Sequence, residues 1–283
     1  MYQSAFGLAI ADALGVPFEF KERGSFRCEG MTGYGTHNQP PGTWSDDTSM
    51  TLATLKSIKD NNGKIDVEDI RSNFLLWLNK GEFTPDGIVF DIGMSTYEAL
   101  KSGVPQRDEH SNGNGSLMRI LPLAFTECGD DEIRAVSAIT HAHRISMEAC
   151  VIYVHVVRRL LAGEDIHDII PTLKYEKPFD RLSYIDKLDV SEIRSSGYVV
   201  DTLEAALWAV SHKGSCIEGQ LVKPGYREMV LEAVNLGDDT DTVAAVTGGL
   251  AAIICGLDCA ECGEWIDTLR NKELIFECLP SAD

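Results

Sequence analysis

Two short clusters of oxygen-bearing side chains, about 190 residues apart, offer the clearest chemistry in this chain: Ser45-Asp46-Asp47-Thr48 and Asp238-Asp239-Thr240-Asp241-Thr242. Each stands where an irregular, glycine-containing stretch passes into an apolar run with helical spacing. Hard divalent cations prefer oxygen donors, and a mixture of carboxylates and hydroxyls suits Mg²⁺ or Mn²⁺. If the two clusters meet in space, they form an all-oxygen site with room for two such ions. The same residue types are preferred helix N-caps, and first-turn acids are favoured by the helix dipole. For either cluster alone, capping and ligation both stand. The second, however, carries three aspartates within four positions, more than a cap requires. Neighbouring side chains on a helix diverge, so its Asp-x-Asp unit must leave regular helix to converge on one centre.

A third stretch, Ser111-Asn112-Gly113-Asn114-Gly115-Ser116-Leu117-Met118-Arg119, is glycine-rich. Such a loop lets backbone N–H groups approach a ligand closely, and phosphate is the usual beneficiary. A plain turn into residues 117–124 is the other reading. Thr140-His141-Ala142-His143 adds two imidazoles. Spaced two apart on a helix they would point to different sides, which argues for a polar ligand contact or a buried hydrogen bond rather than a shared metal.

The elements that must position these groups have mainly helical periodicity. Asp66 is placed to cap a helix over Val67–Lys80, with Ile70, Phe74, Leu75, Trp77 and Leu78 on its inner side. Further helices are expected over 133–142, 145–161 (ending at Ala162-Gly163), 200–210 (stopped near Lys213-Gly214), 226–236 and 242–254. The last contains Val243-Ala244-Ala245-Val246-Thr247-Gly248-Gly249-Leu250-Ala251-Ala252. Two adjacent helical glycines cost roughly 1 kcal/mol each relative to alanine, a cost that close approach of a neighbouring backbone would explain. Alternating runs are scarce, and residues 174–189 are too short and mixed for a linker. The reading is a compact all-α fold, a single domain over 1–283.

The apolar fraction of 44% and charged fraction of 24% are those of an ordinary soluble globule. A formal net charge of −19 argues against nucleic acid or anionic membrane as partner. The N-terminus has no basic leader pattern and no apolar run is long enough to span a bilayer, so a cytoplasmic location is expected. Eight dispersed cysteines then read as reduced thiols. Cys255, Cys259 and Cys262 have iron–sulfur spacing but lack a framing glycine-rich loop.

The motifs, taken in order, resemble those of the ADP-ribosylglycohydrolase family almost from end to end. They are residues 7–20 (Gly-Leu-Ala-Ile-Ala-Asp-Ala-Leu-Gly-Val-Pro-Phe-Glu-Phe), Trp44-Ser45-Asp46-Asp47-Thr48, Asp91-Ile92-Gly93, the 113–119 loop, Thr140-His141, residues 197–206, and Gly237-Asp238-Asp239-Thr240-Asp241-Thr242. The resemblance implies an all-helical fold with two Mg²⁺ or Mn²⁺ ions in a cleft. It implies ligands from Ser45, Asp46 and Asp47 on one side and Asp239, Asp241 and Thr242 on the other. Asp238 stands where relatives often carry glycine and is left out of this set. Glu19 matches a glutamate that approaches a metal or gates the cleft, and Asp91 an aspartate near the scissile bond. Asp47, Asp91 and Glu19 are therefore the candidate catalytic carboxylates. Ser111, Gly113, Asn114, Gly115, Ser116 and His141 match the regions that hold the diphosphate and adenosine side of ADP-ribose. Two departures are Arg144, where many relatives carry proline, and Asn112, where some carry an aromatic.

The implied activity is metal-dependent cleavage of the glycosidic bond at the distal ribose of an ADP-ribosylated protein, with N-linked arginine the favoured acceptor. The alternatives are O-linked serine or threonine, a small ADP-ribosyl metabolite, a binder of ADP-ribose without turnover, or a structural member such as a lens crystallin. A monomer is expected. Asp46, Asp47, Asp239 and Asp241 bring four negative charges, which two divalent ions cancel. Without ions, carboxylates about 4 Å apart repel by roughly 4 kcal/mol per pair at an effective dielectric near 20.

Overall fold

The computed structural model describes residues 1–211, 216–217, 220–221, 225–257 and 260–280. The helices are α1 (Tyr2–Gly15), α2 (Asp46–Asp60), α3 (Val67–Lys80), α4 (Met94–Ser102), α5 (Asp130–Ser137), α6 (Arg144–Leu161), α7 (Ile166–Ile169), α8 (Val199–Ser211), α9 (Tyr226–Val234), α10 (Thr240–Cys255), α11 (Ala260–Thr268) and α12 (Lys272–Cys278). Two strands of two residues each, Cys216–Ile217 and Gln220–Leu221, pair antiparallel. The all-α expectation holds.

The centre is set by α1 and α10, which lack a polar face. Every α1 residue from Ser4 to Gly15 is buried, as is every α10 residue from Thr240 to Ala252. A helix that is apolar all round belongs in the interior. The two lie backbone to backbone: a Cβ on Gly7 would stand 2.6 Å from the Gly248 carbonyl oxygen and 2.6 Å from Ala252 Cβ. One on Gly249 would stand 2.8 Å from Leu121 Cδ2. The helical glycines expected to permit close packing do so. Tyr153 donates its hydroxyl to Val246 O at 3.1 Å, tying α6 to the pair, while α8, α9 and α2 also pack on α10.

α3 runs as the sequence predicts, with Asp66 accepting from the Glu68 and Asp69 amides. Ile70, Phe74 and Trp77 are buried, and Leu75 and Leu78 are partly so. The helix expected over 133–142 instead spans Asp130–Ser137, begun where Glu132 accepts from Gly129 N at 2.9 Å. Beyond it Gln106 N donates to Thr140 O at 2.9 Å and Ala142 N to Gln106 O at 2.8 Å, so a distant segment captures these backbone groups before the helix can. His141 and His143 are thus not helical neighbours. His143 caps α6, its Nδ1 accepting from Ile145 N at 3.2 Å. Residues 174–189 are no linker: Phe179, Leu182 and Ile185 enter the same hydrophobic core.

Lys213, Gly214 and Cys259 lie outside the described residues. Cys28, Cys128, Cys150, Cys255 and Cys278 are free. Cys262 is disulfide-bonded, which corrects the expectation of reduced thiols at that position. Without a free thiolate it also drops out of the iron–sulfur triplet, since the thiolate is the metal-binding form. Among the described residues no helix is long and apolar enough to cross a membrane.

Candidate active site

The two acidic clusters meet. Ser45, the N-cap of α2, donates its hydroxyl to Asp47 Oδ2 at 3.0 Å and accepts from Asp47 N at 3.2 Å. Thr242 Oγ1, from the first turn of α10, donates to the same Asp47 Oδ2 at 3.3 Å. Asp239 precedes α10 with non-helical angles (φ −89°, ψ 75°), so the Asp239-Thr240-Asp241 unit leaves regular helix at its first residue. Asp238 is exposed at φ +57°, a left-handed conformation that favours glycine.

The sequence reading missed Asp12, the only charged residue of α1, as Asp241 is of α10. The Asp12 carboxylate accepts from Ser45 N at 3.0 Å, Thr48 N at 3.1 Å and Thr48 Oγ1 at 2.6 Å, fixing the start of α2. Ligand atoms of Asp12, Asp47 and Asp241 all lie within 4.8 Å of one another. So do those of Glu19, His37, Asp91 and Asp241. The two groups share Asp241.

Asp47 Oδ1, Asp239 Oδ1 and Asp241 Oδ2 are buried without a hydrogen-bond partner. A buried carboxylate oxygen left unpaired is costly, and a cation supplies the missing partner. Electrostatics point the same way. Burial first, then Asp91 and Asp47, raises the Asp46 carboxyl well above its ordinary range. Asp47 is raised by burial, Asp12 and Asp239, and Asp241 by burial, Asp91 and Glu19. Asp239 is raised by burial against the hydrogen bonds of Asn114 and Thr242. Asp12 is raised to about 6 and Glu19 to about 7, each chiefly by burial. The His37 ring bonds Glu19 Oε2, which raises the imidazole, and lies 3.9 Å from Asp91 Oδ1. Desolvation favours the neutral acid unless an opposite charge compensates. The carboxylate-rich donor set, with His37 its one nitrogen donor, fits a hard divalent cation.

A cleft of ≈ 320 Å³ opens on this cluster. Of the expected site residues, Glu19, Asp46, Asp91, Gly113, Asn114, Gly115, His141, Asp239 and Thr242 line it. Ser45, Asp47 and Asp241 are buried alongside, joined to it through Thr242 and the shared ligand groups. Ser111 and Ser116 do not line it. Ser111 Oγ donates to Asp108 at 2.8 Å, and Ser116 Oγ accepts from Ser137 Oγ at 2.9 Å inside the core. Asn114 faces the acidic cluster, donating to Asp239 Oδ2 and Thr202 Oγ1, both at 2.9 Å. Asn112 staples the loop to α6 by accepting from Ser146 Oγ at 3.3 Å.

Loop position is fixed by backbone bonds from Asn114 N to Gly197 O (3.0 Å) and from Val199 N to Asn112 O (2.9 Å). Behind it sits Arg119, fully buried, donating to Gly115 O and to Thr140 Oγ1 (2.8 Å) and lying 4.6 Å from the Phe74 ring centroid. The Thr140 hydroxyl also meets His141 Nδ1 at 2.8 Å. A guanidinium only donates, so Thr140 accepts from Arg119; its hydroxyl then donates to Nδ1 or accepts from it according to the imidazole tautomer. Burial, then Arg119, lowers His141 to about 3, so it is a neutral imidazole at the cleft.

The family model described as ADP-ribosylglycohydrolase matches residues 2–281. The ADP-ribosylarginine hydrolase Tri1 of Serratia proteamaculans (strain 568) is 32% identical, over 95% of this chain and 75% of that protein. The ADP-ribosyl-[dinitrogen reductase] glycohydrolase of Rhodospirillum rubrum is 30% identical, over 94% of this chain and 88% of that one. A solved structure described as an ADP-ribosylglycohydrolase-related protein complex superposes with a TM-score of 0.77 at 29% identity, covering 98% of this chain and 94% of its own. With the match running through both acidic clusters and the cleft between them, the chain belongs to the ADP-ribosylglycohydrolase family, whose members are hydrolases of glycosyl bonds.

Proposed function

We propose that this chain is a metal-dependent hydrolase that releases ADP-ribose from arginine side chains of modified proteins. The observation that carries the reading is the meeting of Asp47 with Thr242 beside a cleft, amid carboxylate oxygens that have no protein partner. Arginine as acceptor is supported by the name of one relative, an ADP-ribosylarginine hydrolase, and a modified protein as substrate by that of another, an ADP-ribosyl-[dinitrogen reductase] glycohydrolase.

Ser45, Asp46, Asp47, Asp239, Asp241 and Thr242 are the residues assigned to hold two divalent cations, Mg²⁺ or Mn²⁺. Of these, Asp47 and Asp241 converge with Asp12, and Asp241 also with Glu19, His37 and Asp91, whereas Asp46 and Asp239 belong to neither group; the sharing of Asp241 supports a pair of adjacent positions. When bound, such ions orient vicinal ribose hydroxyls and lower the pKa of water. Asp12 acts behind them, holding Ser45 and Thr48 in place. The glycosidic bond breaks with positive charge developing on the ribose, and Asp91 is the carboxylate assigned to stabilise it. Glu19, bonded to His37 and raised to about 7, is suited to hold or release a proton near neutral pH. Gly113 and Gly115 offer close backbone approach to the diphosphate, and the neutral His141 ring offers a hydrogen-bonding partner on the nucleotide side. Ser111 and Ser116 shape that loop from behind.

The test is a panel of arginine-, serine- and threonine-linked ADP-ribosylated peptides, each with Mg²⁺, with Mn²⁺ and with chelator. Release from arginine alone, abolished by chelator, is the expected result. Release only from serine or threonine moves the protein to O-linked chemistry. ADP-ribose binding without any release makes it a reader. Asp91→Asn should retain metal binding and lose turnover.

A further inference from the structure

The mouth of the cleft has one feature that neither the fold nor the acidic cluster requires. Phe20 follows Glu19 with φ +64°, and its side chain is 70% exposed while still lining the cleft. A ring in water on a left-handed backbone is unfavourable on both counts. It is nonetheless fixed there: Phe20 N donates to Asp238 O at 2.7 Å and Asp238 N to Lys21 O at 2.9 Å. The chain thereby holds the ring one residue from Glu19 and beside the segment bearing Asp239.

The Phe20 ring stands 6.1 Å from the His37 ring, and Phe90 stands 5.3 Å from His37 on centroids. His37 bonds Glu19 and lies 3.9 Å from Asp91. Of these three rings Phe20 is the one that lines the cleft, alongside the carboxylates of Glu19 and Asp91. A guanidinium stacks on an aromatic face and pairs with a carboxylate. The methylene stem of an arginine adds apolar area for a ring to cover. A serine or threonine acceptor has neither property.

We propose that Phe20 is a specificity-determining residue that reads the acceptor arginine, its ring covering the side chain while Asp91 faces the guanidinium. This rests on the arginine reading above. The test is steady-state hydrolysis of free ADP-ribosylarginine by the wild-type, Phe20→Asn, Phe20→Gly and Phe20→Tyr proteins, with ADP-ribose as competitive inhibitor. Asn and Gly both tolerate the left-handed backbone, and thermal unfolding checks the fold of each variant.

The KM of Phe20→Asn and Phe20→Gly should rise about tenfold, with Phe20→Tyr near wild type and ADP-ribose inhibition unmoved. A KM within about twofold of wild type in either ring-less variant overturns the proposal. A parallel weakening of ADP-ribose inhibition also overturns it, because the ring would then serve the nucleotide. Failure of the wild-type protein to cleave ADP-ribosylarginine defeats the underlying arginine reading, and that result is visible before any variant is compared.

Discussion

Replacing Gly15 by alanine tests whether contact between the two central helices sets the geometry of the acidic cluster. Gly15 has φ −78°, an ordinary helical value, so intrinsic propensity alone favours alanine by about 1 kcal/mol. The new Cβ would meet Asp241 Cα and stand 2.5 Å from Asp241 N and 2.6 Å from Thr240 O. Ordinary contact begins near 3.4 Å, so α1 and α10 must part by about 1 Å, with backbone on the opposing side and no rotamer to yield. Overpacking of this kind costs roughly 1–3 kcal/mol, and with rigid neighbours the upper part of that range applies. After the propensity gain, a net loss of about 2 kcal/mol remains. In a chain of this size that lowers Tm by about 4–8 °C. Asp241 belongs to both ligand groups, and a displacement of about 1 Å in a catalytic constellation reduces turnover roughly 100-fold. Urea unfolding and ADP-ribose release measure the two effects. Gly263→Ala in α11 is the control, since its Cβ meets nothing within 4 Å, and should stabilise by about 0.5–1 kcal/mol. If Gly15→Ala matched that control in stability and kept wild-type turnover, the reasoning would be refuted.

Asp12→Asn leaves at least one of the amide and hydroxyl donors from Ser45 and Thr48 without an acceptor. It should cost about 1–3 kcal/mol in stability and weaken Mn²⁺ binding about 10–100-fold, as read by unfolding and by calorimetric titration. Stripping metal with EDTA should lower Tm, and Mn²⁺ should restore it, with a gap that widens as pH rises. The sign follows from folded-state values of about 6 for Asp12 and about 7 for Glu19, both above their unfolded values. Without ions their contribution is fully present below about pH 4 and lost as pH rises through the folded values. Bound cations favour the ionised forms over that same window. A gap that narrows between pH 5 and 8 contradicts this account. Gly115→Ala places a Cβ 2.9 Å from both His141 Cε1 and Thr96 Oγ1. It should raise KM with little change in kcat, and an unaltered KM would show that the loop does not depend on this contact.

Local patterns foretold what local physics decides. Asp66 followed by a one-sided apolar run is sufficient to place α3 residue for residue. The end of α5 was not legible, because the competing partner, Gln106, sits more than 30 residues upstream. Ser111 and Ser116 look alike beside glycine whether their hydroxyls face a ligand or the core, and only Asp108 and Ser137 decide the matter. His37 lies in the aperiodic, glycine- and proline-rich stretch between Gly33 and Gly42, where no spacing rule applies. Asp12 did leave a signal: a solitary carboxylate in an otherwise uncharged apolar helix needs a partner. The same argument applied to Asp241 would have paired the two.

The Arg119–Thr140–His141 relay has a consequence for how the cleft responds to acidity. One end is lined by an imidazole whose charge state does not change anywhere near neutrality. The other end is a crowd of carboxyls that take up protons readily. Without bound cations, mild acid therefore protonates the carboxyl end and leaves His141 neutral, so that under the proposed function the ribose side of a ligand loosens before the nucleotide side.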